Sequence, residues 1–336
     1  MRLLITGGAG FIGSNFVRYW LSERPDDHVV VYDLLTYAGN IENLSDIRDM
    51  FVFVRGDIGD YDAAAATLQA EEIDTIVNFA AESHNSYSLL DPAAAFRTNA
   101  LGTQTLLQAA RMTGVNRFHH ISTCEVYGDL PLDSEEMFTE SSPYRPRTPY
   151  NASKAAGDMA VRAYHETYGL NTTITNVANT YGPYQFPEKI IPLFTTNVLD
   201  DKPMPLYAST ANKREWIHVL DHCRGIERVL LDGRIGETYN IGTGLEKSIM
   251  DIADAILRLL GKPESLKQIV PDRPGHDRRY LLDATKIRTE LGWKPTIEFD
   301  DGLAETVAWY AENRDWWEPL RDRAPIVETA WAQKSS

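Results

Sequence analysis

The chain has 336 residues, enough for one large domain or two closely joined ones, and its apolar and charged fractions are ordinary for a globular protein. Its 48 acidic residues outnumber 33 basic ones, which gives a formal net charge of -15. A surface with that charge repels phosphate backbones and anionic lipid, so we expect neither nucleic acid nor a membrane as a partner.

Short apolar runs in the first half predict strands that are buried on both faces, as parallel strands are. The first run starts at residue 2, so we expect no secretory leader. The predicted strands are 2–6, 28–33, 51–57, 74–80, 117–123 and 172–178. The helices between them are most evident at 12–22, 93–113 and 151–168. This alternation predicts the α/β class, with a doubly wound parallel sheet of the Rossmann type.

After residue 180 the pattern changes to Pro-rich loops, which alternate with predicted helices near 249–261, 284–291 and 301–313. We interpret this half as a smaller α/β substrate domain that covers the carboxyl edge of the sheet. The first predicted domain, which contains the parallel sheet, comprises 1–178 and 215–243, and the second, the substrate domain, comprises 179–214 and 244–330. The final AQKSS is predicted to be a frayed tail.

Only two cysteines, Cys124 and Cys223, are present. They are too few for a disulfide framework, and we therefore expect a cytoplasmic location. We predict no metal site.

The stretch TGGAGFIG (6–13) lies between the first predicted strand and the first predicted helix. Gly7, Gly10 and Gly13 allow a tight turn and let backbone N–H groups approach a pyrophosphate. Asp33 ends the second strand, where a carboxylate can bind the ribose of an adenosine. No arginine follows to receive a 2′-phosphate, so NAD is favoured over NADP. The alternative is a structural turn, with Asp33 as a loop cap.

Tyr150 and Lys154 form a Tyr-x-x-x-Lys pair at the start of the helix 151–168. A phenol has a pKa of about 10 and is a poor base at neutral pH. A nearby ammonium and an oxidised nicotinamide would lower that pKa, so Tyr150 could accept a hydroxyl proton while hydride leaves the same carbon for NAD+. Thr123, at the end of the fifth strand, could hold that hydroxyl. The alternative is a solvated helix face.

Several stretches resemble the extended short-chain dehydrogenase/reductases and, more closely, the dTDP-glucose 4,6-dehydratases. The resemblance runs from residue 1 to about residue 320. The glycine-rich and Tyr-Lys motifs indicate only the superfamily, whereas FPEK and DRPGHDRRY narrow the resemblance to nucleotide-sugar modification. The matching stretches are TGGAGFIGSNF, AAESH (80–84), YNASKA (150–155), YGPYQFPEK (181–189), YNIG (239–242), DRPGHDRRY (272–280) and WWEPL.

This resemblance implies a lyase of deoxysugar biosynthesis that recycles NAD. The sugar of a nucleotide-diphosphate sugar, dTDP-glucose or a UDP-sugar, is oxidised at C4, loses water across C5 and C6, and regains the hydride at C6. The C4 ketone acidifies the C5 proton, which makes the elimination feasible. The implied catalytic residues are Thr123, Cys124, Glu125, Tyr150 and Lys154, with Glu125 as the base that removes the C5 proton.

The resemblance also implies two sets of binding residues. The basic members of the second set suit a diphosphate in an otherwise acidic protein. The implied cofactor contacts are Gly7, Gly10, Phe11, Ile12, Gly13, Asp33, Leu34, Thr36, Asp57, Ile58, Ala80, Ala81, Ser83, Thr98, Tyr150, Lys154 and Thr180. The implied substrate contacts are His84, Thr123, Asn179, Lys189, Ile190, Pro205, Tyr207, Arg214, Asn240, Arg273 and His276.

Related enzymes pair through the helices that correspond to 93–113 and 151–168. These two segments carry apolar positions beyond what one face of a sheet needs. We therefore expect a homodimer that forms through a four-helix bundle.

Three positions depart from the family pattern. Cys124 stands where the family usually has the aspartate that protonates the leaving C6 hydroxyl, NSYS (85–88) replaces VDRS, and Thr180 replaces an asparagine. A thiol with a pKa of about 8.5 is protonated at neutral pH, but it is a weak acid and a weak donor. We predict that Cys124 faces C6 and that Glu125 is the indispensable group in the elimination.

Several alternatives remain open. Glu125 could return the C5 proton to the departing oxygen, since related GDP-mannose 4,6-dehydratases have serine before the equivalent glutamate. Nucleotide-sugar 5,6-dehydratases pair Cys with Glu, return hydride to C4 and keep the alkene. Cys124 could also be a packed apolar side chain. A 4-epimerase, a decarboxylase or a non-catalytic NAD sensor is less consistent with the motifs.

Overall fold

The computed structural model of the protein describes residues 1–323, and the predicted tail lies outside these residues. The strands are β1 (Arg2–Thr6), β2 (His28–Asp33), β3 (Val52–Arg55), β4 (Thr75–Asn78), β5 (Arg117–Thr123), β6 (Thr172–Val177), β7 (Asn179–Tyr181), β8 (Met204–Tyr207), β9 (Lys213–His218), β10 (Thr238–Ile241), β11 (Glu246–Ser248) and β12 (Lys267–Val270). The α-helices are α1 (Phe11–Glu23), α2 (Tyr61–Ala70), α3 (Asn85–Leu90), α4 (Pro92–Phe96), α5 (Thr103–Thr113), α6 (Pro149–Tyr168), α7 (Ile190–Leu199), α8 (Val219–Asp232), α9 (Ile249–Leu260), α10 (Thr285–Leu291), α11 (Phe299–Glu312) and α12 (Arg314–Arg321).

The central sheet has seven parallel strands in the order β10-β6-β5-β4-β1-β2-β3. Side chains of β1 alternate between its faces: Leu3 and Ile5 pack with Phe16 of α1, whereas Leu4 packs with Leu106 of α5. Apolar layers therefore cover both faces, and the predicted doubly wound sheet is confirmed.

Two predicted strands are shorter than expected. The segments 51–57 and 74–80 form only Val52–Arg55 and Thr75–Asn78, because the chain leaves the sheet there and lines a cavity at its carboxyl edge. The predicted helix 93–113 is helical from Pro92 to Thr113, but its middle turn, Arg97–Gly102, is a π-helix. Single π turns inside α-helices are frequent at functional sites.

Smaller sheets lie in the second half, where β7, β9 and β11 form one and β8 and β12 form another. Strand β10 joins the central sheet, whereas β9, mostly assigned in our prediction to the first domain, does not. The division into two domains thus stays a prediction. None of the described helices combines the length and apolar character that a transmembrane span requires.

Candidate active site

A cavity of about 310 Å³ opens at the carboxyl edge of the central sheet. Every residue predicted to contact the cofactor lines it, as do all the predicted catalytic residues. The strands β1, β2, β4, β5 and β6 end at its wall, which is where doubly wound sheets bind their ligands. The predicted cofactor and catalytic residues therefore line the same cavity, although the role of each residue stays a prediction.

The glycine turn forms one wall of this cavity. Gly7 has a φ of 64°, and a Cβ added to it would lie 2.7 Å from the backbone N of Ala80. A Cβ on Gly13 would lie 2.3 Å from the carbonyl oxygen of Gly7. Only glycine fits at either position. Because these residues have no Cβ atom, a pyrophosphate can approach the backbone N–H groups of the turn closely.

Asp33 lies beside this turn, and its carboxylate is fixed by backbone donors. Its Oδ2 accepts from Ala9 N at 3.0 Å and its Oδ1 accepts from Leu35 N at 2.8 Å. Burial raises the pKa of Asp33, and these two hydrogen bonds oppose the rise. Asp33 is thus partly a loop cap, as the alternative held, while it also lines the cavity.

Tyr150 and Lys154 lie on the first turns of α6, which Thr148 caps by accepting from Asn151 N at 3.2 Å. Lys154 is buried, and its Nζ donates to the carbonyl oxygen of Ile121 at 2.6 Å. Burial lowers the pKa of Lys154 to about 8, and the charge of Asp158 opposes this lowering.

The phenol of Tyr150 is less acidic than expected from the sequence. Burial raises its pKa, and so do Glu125 and Cys124, while a hydrogen bond with Thr123 lowers it. The protein groups alone therefore oppose the predicted phenolate. The positive charge of an oxidised nicotinamide is what the predicted lowering requires.

Asp158 lies one helical turn after Lys154 and is fully buried. Its Oδ2 accepts from Ser122 Oγ at 2.8 Å and from Tyr144 Oη at 2.9 Å, and its Oδ1 lies 3.4 Å from His120 Nε2. Burial raises the pKa of Asp158 to about 6, whereas the charge of Lys154 lowers it. Its i+4 spacing from Lys154 indicates that the two charges interact, and our sequence analysis missed this residue.

Strand β5 ends at Thr123, and the turn Cys124–Tyr127 follows. The Thr123 hydroxyl accepts from Glu125 N at 3.3 Å, which shapes this turn so that Thr123, Cys124 and Glu125 all line the cavity. Only 1% of Cys124 is exposed, and it also packs in the hydrophobic core. Burial raises the pKa of its thiol, so Cys124 stays protonated.

The Glu125 carboxylate contacts side chains from two distant segments of the chain. Its Oε2 accepts from Asn85 Nδ2 at 2.6 Å, and Tyr280 Oη lies 3.5 Å from the same oxygen. Burial raises the pKa of Glu125, and Arg273 lowers it. Sequence reasoning missed Asn85 and Tyr280 as contacts of this carboxylate, although both lie in stretches that it had singled out.

The predicted substrate contacts divide into two groups. Thr123, Asn179 and Lys189 line the cavity. The others lie outside its lining: His84, Ile190, Pro205, Tyr207, Arg214, Asn240, Arg273 and His276.

Three basic residues of these two groups lie near one another beside the cavity. Burial lowers the pKa of His84 well below its ordinary value, and the charges of Lys189 and Arg273 add to this effect. The Nε of Arg273 is buried without a hydrogen-bond partner among the described residues. A guanidinium N–H in that position suits an anionic ligand, as a diphosphate is.

Asn240 does not line the cavity. It is fully buried in β10, where its Nδ2 donates to the carbonyl oxygen of Phe138 at 2.9 Å and its Oδ1 accepts from Tyr127 Oη at 2.9 Å. Its amide thus ties β10 to neighbouring loops, and its contact with a substrate stays a prediction.

The chain is similar to known proteins over most of its length. A family model described as GDP-mannose 4,6 dehydratase matches residues 4–306. The chain belongs to this family. A dTDP-glucose 4,6-dehydratase from Streptomyces niveus is 52% identical over 327 residues, which cover 96% of each chain. The predicted resemblance to dTDP-glucose 4,6-dehydratases is therefore confirmed.

Solved structures show the same relationship. The dTDP-glucose 4,6-dehydratase DesIV from Streptomyces venezuelae, solved with NAD, is 53% identical, superposes with a TM-score of 0.92, and is matched over 95% of this chain and 100% of its own. A UDP-glucose 4-epimerase from Thermus thermophilus, also with NAD, is only 32% identical at a TM-score of 0.86, over 93% of this chain and 100% of its own. The dehydratases of the family are thus closer in sequence than this epimerase.

The family departures all lie at or beside the cavity. Cys124 and Thr180 line it, and Thr180 Oγ1 lies 3.1 Å from His222 Nδ1. In the segment 85–88, Asn85 reaches Glu125 and the Ser88 hydroxyl accepts from Tyr150 N at 3.1 Å. The three departures thus lie near the predicted catalytic groups.

Proposed function

We propose that this protein is an NAD-dependent lyase of the dTDP-glucose 4,6-dehydratase type. The observation that carries the proposal is one cavity in which Tyr150, Lys154 and Glu125 lie at the carboxyl edge of the sheet, next to the glycine turn and Asp33. The dehydratase relatives and the NAD in the Streptomyces venezuelae structure support both substrate and cofactor.

The residues of the cavity have separate tasks in this proposal. Bound NAD would supply the hydride acceptor for oxidation at C4 and the hydride donor for the later reduction. Tyr150 takes the proton of the C4 hydroxyl, Thr123 holds that hydroxyl, and the charge of Lys154 stabilises the phenolate. Glu125 removes the C5 proton after the C4 ketone has made it acidic. The leaving C6 oxygen takes its proton either from Cys124 or from Glu125.

A panel of nucleotide sugars tests this function. Incubation with dTDP-glucose, UDP-glucose and UDP-N-acetylglucosamine should give loss of one water from dTDP-glucose in the mass spectrum of the product. If only a UDP-sugar is turned over, the nucleobase of the substrate is uracil rather than thymine. Unchanged mass together with a changed sugar configuration would indicate an epimerase and would reject the dehydratase assignment.

A 5,6-dehydratase is the second candidate, and Cys124 is the observation that favours it. Nucleotide-sugar 5,6-dehydratases pair Cys with Glu, as this chain does at Cys124 and Glu125. The product of a 5,6-dehydratase would keep an exocyclic methylene group, whereas the product of a 4,6-dehydratase has a C6 methyl group. Proton NMR of the product separates the two.

Selectivity for NAD is the first expected result. The Asp33 carboxylate lines the cavity, where a 2′-phosphate would bring further negative charge, and Leu34 and Leu35 rather than an arginine follow it in the sequence. We expect NADP to bind at least about tenfold more weakly than NAD in calorimetry. Asp33→Asn should narrow the gap by removing the repulsion. Equal affinities of the wild-type protein for both cofactors would refute the assignment.

A homodimer is the second expected result. Leu101, in the π turn, is 61% exposed, and Met159 of α6 is 46% exposed, so these helices present apolar side chains to solvent. We expect a dimer in light scattering at micromolar concentration, and Leu101→Glu should shift it towards the monomer. Ile269→Glu is the matched control, since Ile269 is 57% exposed on β12, away from these helices. A monomeric wild-type protein would contradict this part of the proposal.

We also propose a cytoplasmic location. Cys124 and Cys223 are both buried free thiols. A reducing compartment preserves thiols in that state.

A further inference from the structure

We propose that Asn85 is a positioning residue that keeps the Glu125 carboxylate ionised and oriented for removal of the C5 proton. This inference rests on the proposed function, in which Glu125 is the base. The resemblance assigns no role to this position, where the family pattern usually has valine. A valine offers no hydrogen bond, so the contact is a property of this chain.

The contact itself is short and shielded. Asn85 Nδ2 donates to Glu125 Oε2 at 2.6 Å, and Asn85 is only 9% exposed. A hydrogen bond to an ionised partner is stronger than one between neutral groups, and it favours the charged form. The Asn85 donor lowers the pKa of Glu125 against the rise that burial causes.

Thr148 fixes which end of the Asn85 amide faces Glu125. The Thr148 hydroxyl accepts from Asn151 N at 3.2 Å, and its own proton points to Asn85 Oδ1, which is 2.6 Å away. The amide oxygen is thereby occupied, and the NH₂ group must face the carboxylate. If the amide were reversed, Asn85 Oδ1 would face Glu125 Oε2, and two hydrogen-bond acceptors would oppose each other.

The backbone around Asn85 is equally fixed. His84 caps α3, where its Nδ1 accepts from Tyr87 N at 3.2 Å, and Asn85 is the first residue of the helix. The Ser88 hydroxyl donates to the carbonyl oxygen of Asn85 at 2.7 Å and accepts from Tyr150 N at 3.1 Å. One short segment therefore contacts both predicted proton-transfer residues, Glu125 and Tyr150.

Charged residues of both signs also act on the pKa of Glu125. Arg273 and Arg214 lower the pKa of Glu125, and Asp277 raises it. Asn85 is a neutral donor and lies closer to Glu125 Oε2 than Tyr280 Oη does, so its removal changes the pKa of Glu125 without adding or removing a charge. The other titratable groups that face Glu125 are Cys124, Tyr150, Lys189 and Tyr280.

The test is the pH dependence of C5 proton exchange with solvent deuterium, measured with NAD-loaded protein and dTDP-glucose. Asn85→Val should move the acidic limb of this profile to higher pH by roughly one to two units, because the ionised base has lost its donor. Asn85→Asp has the same size and should move the limb further, since it places a second carboxylate beside Glu125. Retention of NAD and the thermal unfolding midpoint show whether each variant is folded.

Ser86→Ala is the matched control, because Ser86 is buried in the same segment and makes no hydrogen bond to a predicted catalytic residue. Its profile should coincide with that of the wild-type protein. If wild type exchanges the C5 proton and both Asn85 variants keep its profile, the proposed role of Asn85 is wrong while the proposed function stands. If wild type itself shows no C5 exchange, the proposed function fails and the inference fails with it.

Discussion

Replacement of Glu125 by glutamine is expected to stop exchange of the C5 proton with solvent deuterium. Glutamine has nearly the same shape, and its amide oxygen can still accept from Asn85 Nδ2, but it cannot take a proton. Loss of a general base typically slows a reaction by about 10²–10⁴-fold. Oxidation at C4 should persist, because it depends on Tyr150, and is measured by the absorbance of the reduced cofactor.

Cys124 variants provide the comparison for Glu125→Gln. Cys124→Ala should retain most of the C5 exchange, because the buried thiol stays protonated and takes no part in C5 proton removal. Cys124→Asp should speed water loss, or divert the product to the 4-keto-6-deoxy sugar if the native product is a 5,6-alkene. If Cys124→Ala stops C5 exchange and Glu125→Gln does not, the two roles are reversed. If neither variant affects turnover, the dehydratase interpretation fails.

Replacement of Tyr150 by phenylalanine is expected to abolish oxidation at C4 and to leave nucleotide binding nearly intact. The ring keeps its packing, since Tyr150 is buried and only its hydroxyl is removed. The C4 hydroxyl then has no acceptor for its proton, which should cost about 10²–10⁴-fold in rate. Single-turnover absorbance of the reduced cofactor measures the loss, and calorimetry checks binding. A variant within a few-fold of wild type would reject the assignment.

The sheet and the glycine turn beside the cavity were predictable because their signals are local. Apolar runs gave β1, β2 and β5 with their observed bounds. The turn at 6–13 could be predicted because its glycines meet steric demands that the structure shows at Gly7 and Gly13. The π turn at Arg97–Gly102 was not predicted, since one widened turn hardly changes the apolar period of a helix.

Side-chain contacts across the chain were less predictable. The resemblance gave the position of Asn240 but not its surroundings, and the structure places its amide among loops behind β10. Asn85 and Glu125 are 40 residues apart, and Tyr280 and Glu125 are 155 apart. A single sequence carries no signal that residues so far apart along the chain are in contact. Asp158 was within reach of prediction, since helical spacing places it beside Lys154.

The most direct test of the central claim follows a deuterium label placed on C4 of dTDP-glucose. A 4,6-dehydratase moves the hydride from C4 to C6 within one active site, so the wild-type protein should give a 4-keto-6-deoxy sugar with the deuterium in its C6 methyl group. Proton and deuterium NMR of the isolated product locate the label. Deuterium that has returned to C4, with either an alkene at C5 and C6 or an intact C6 hydroxyl, would contradict the claim.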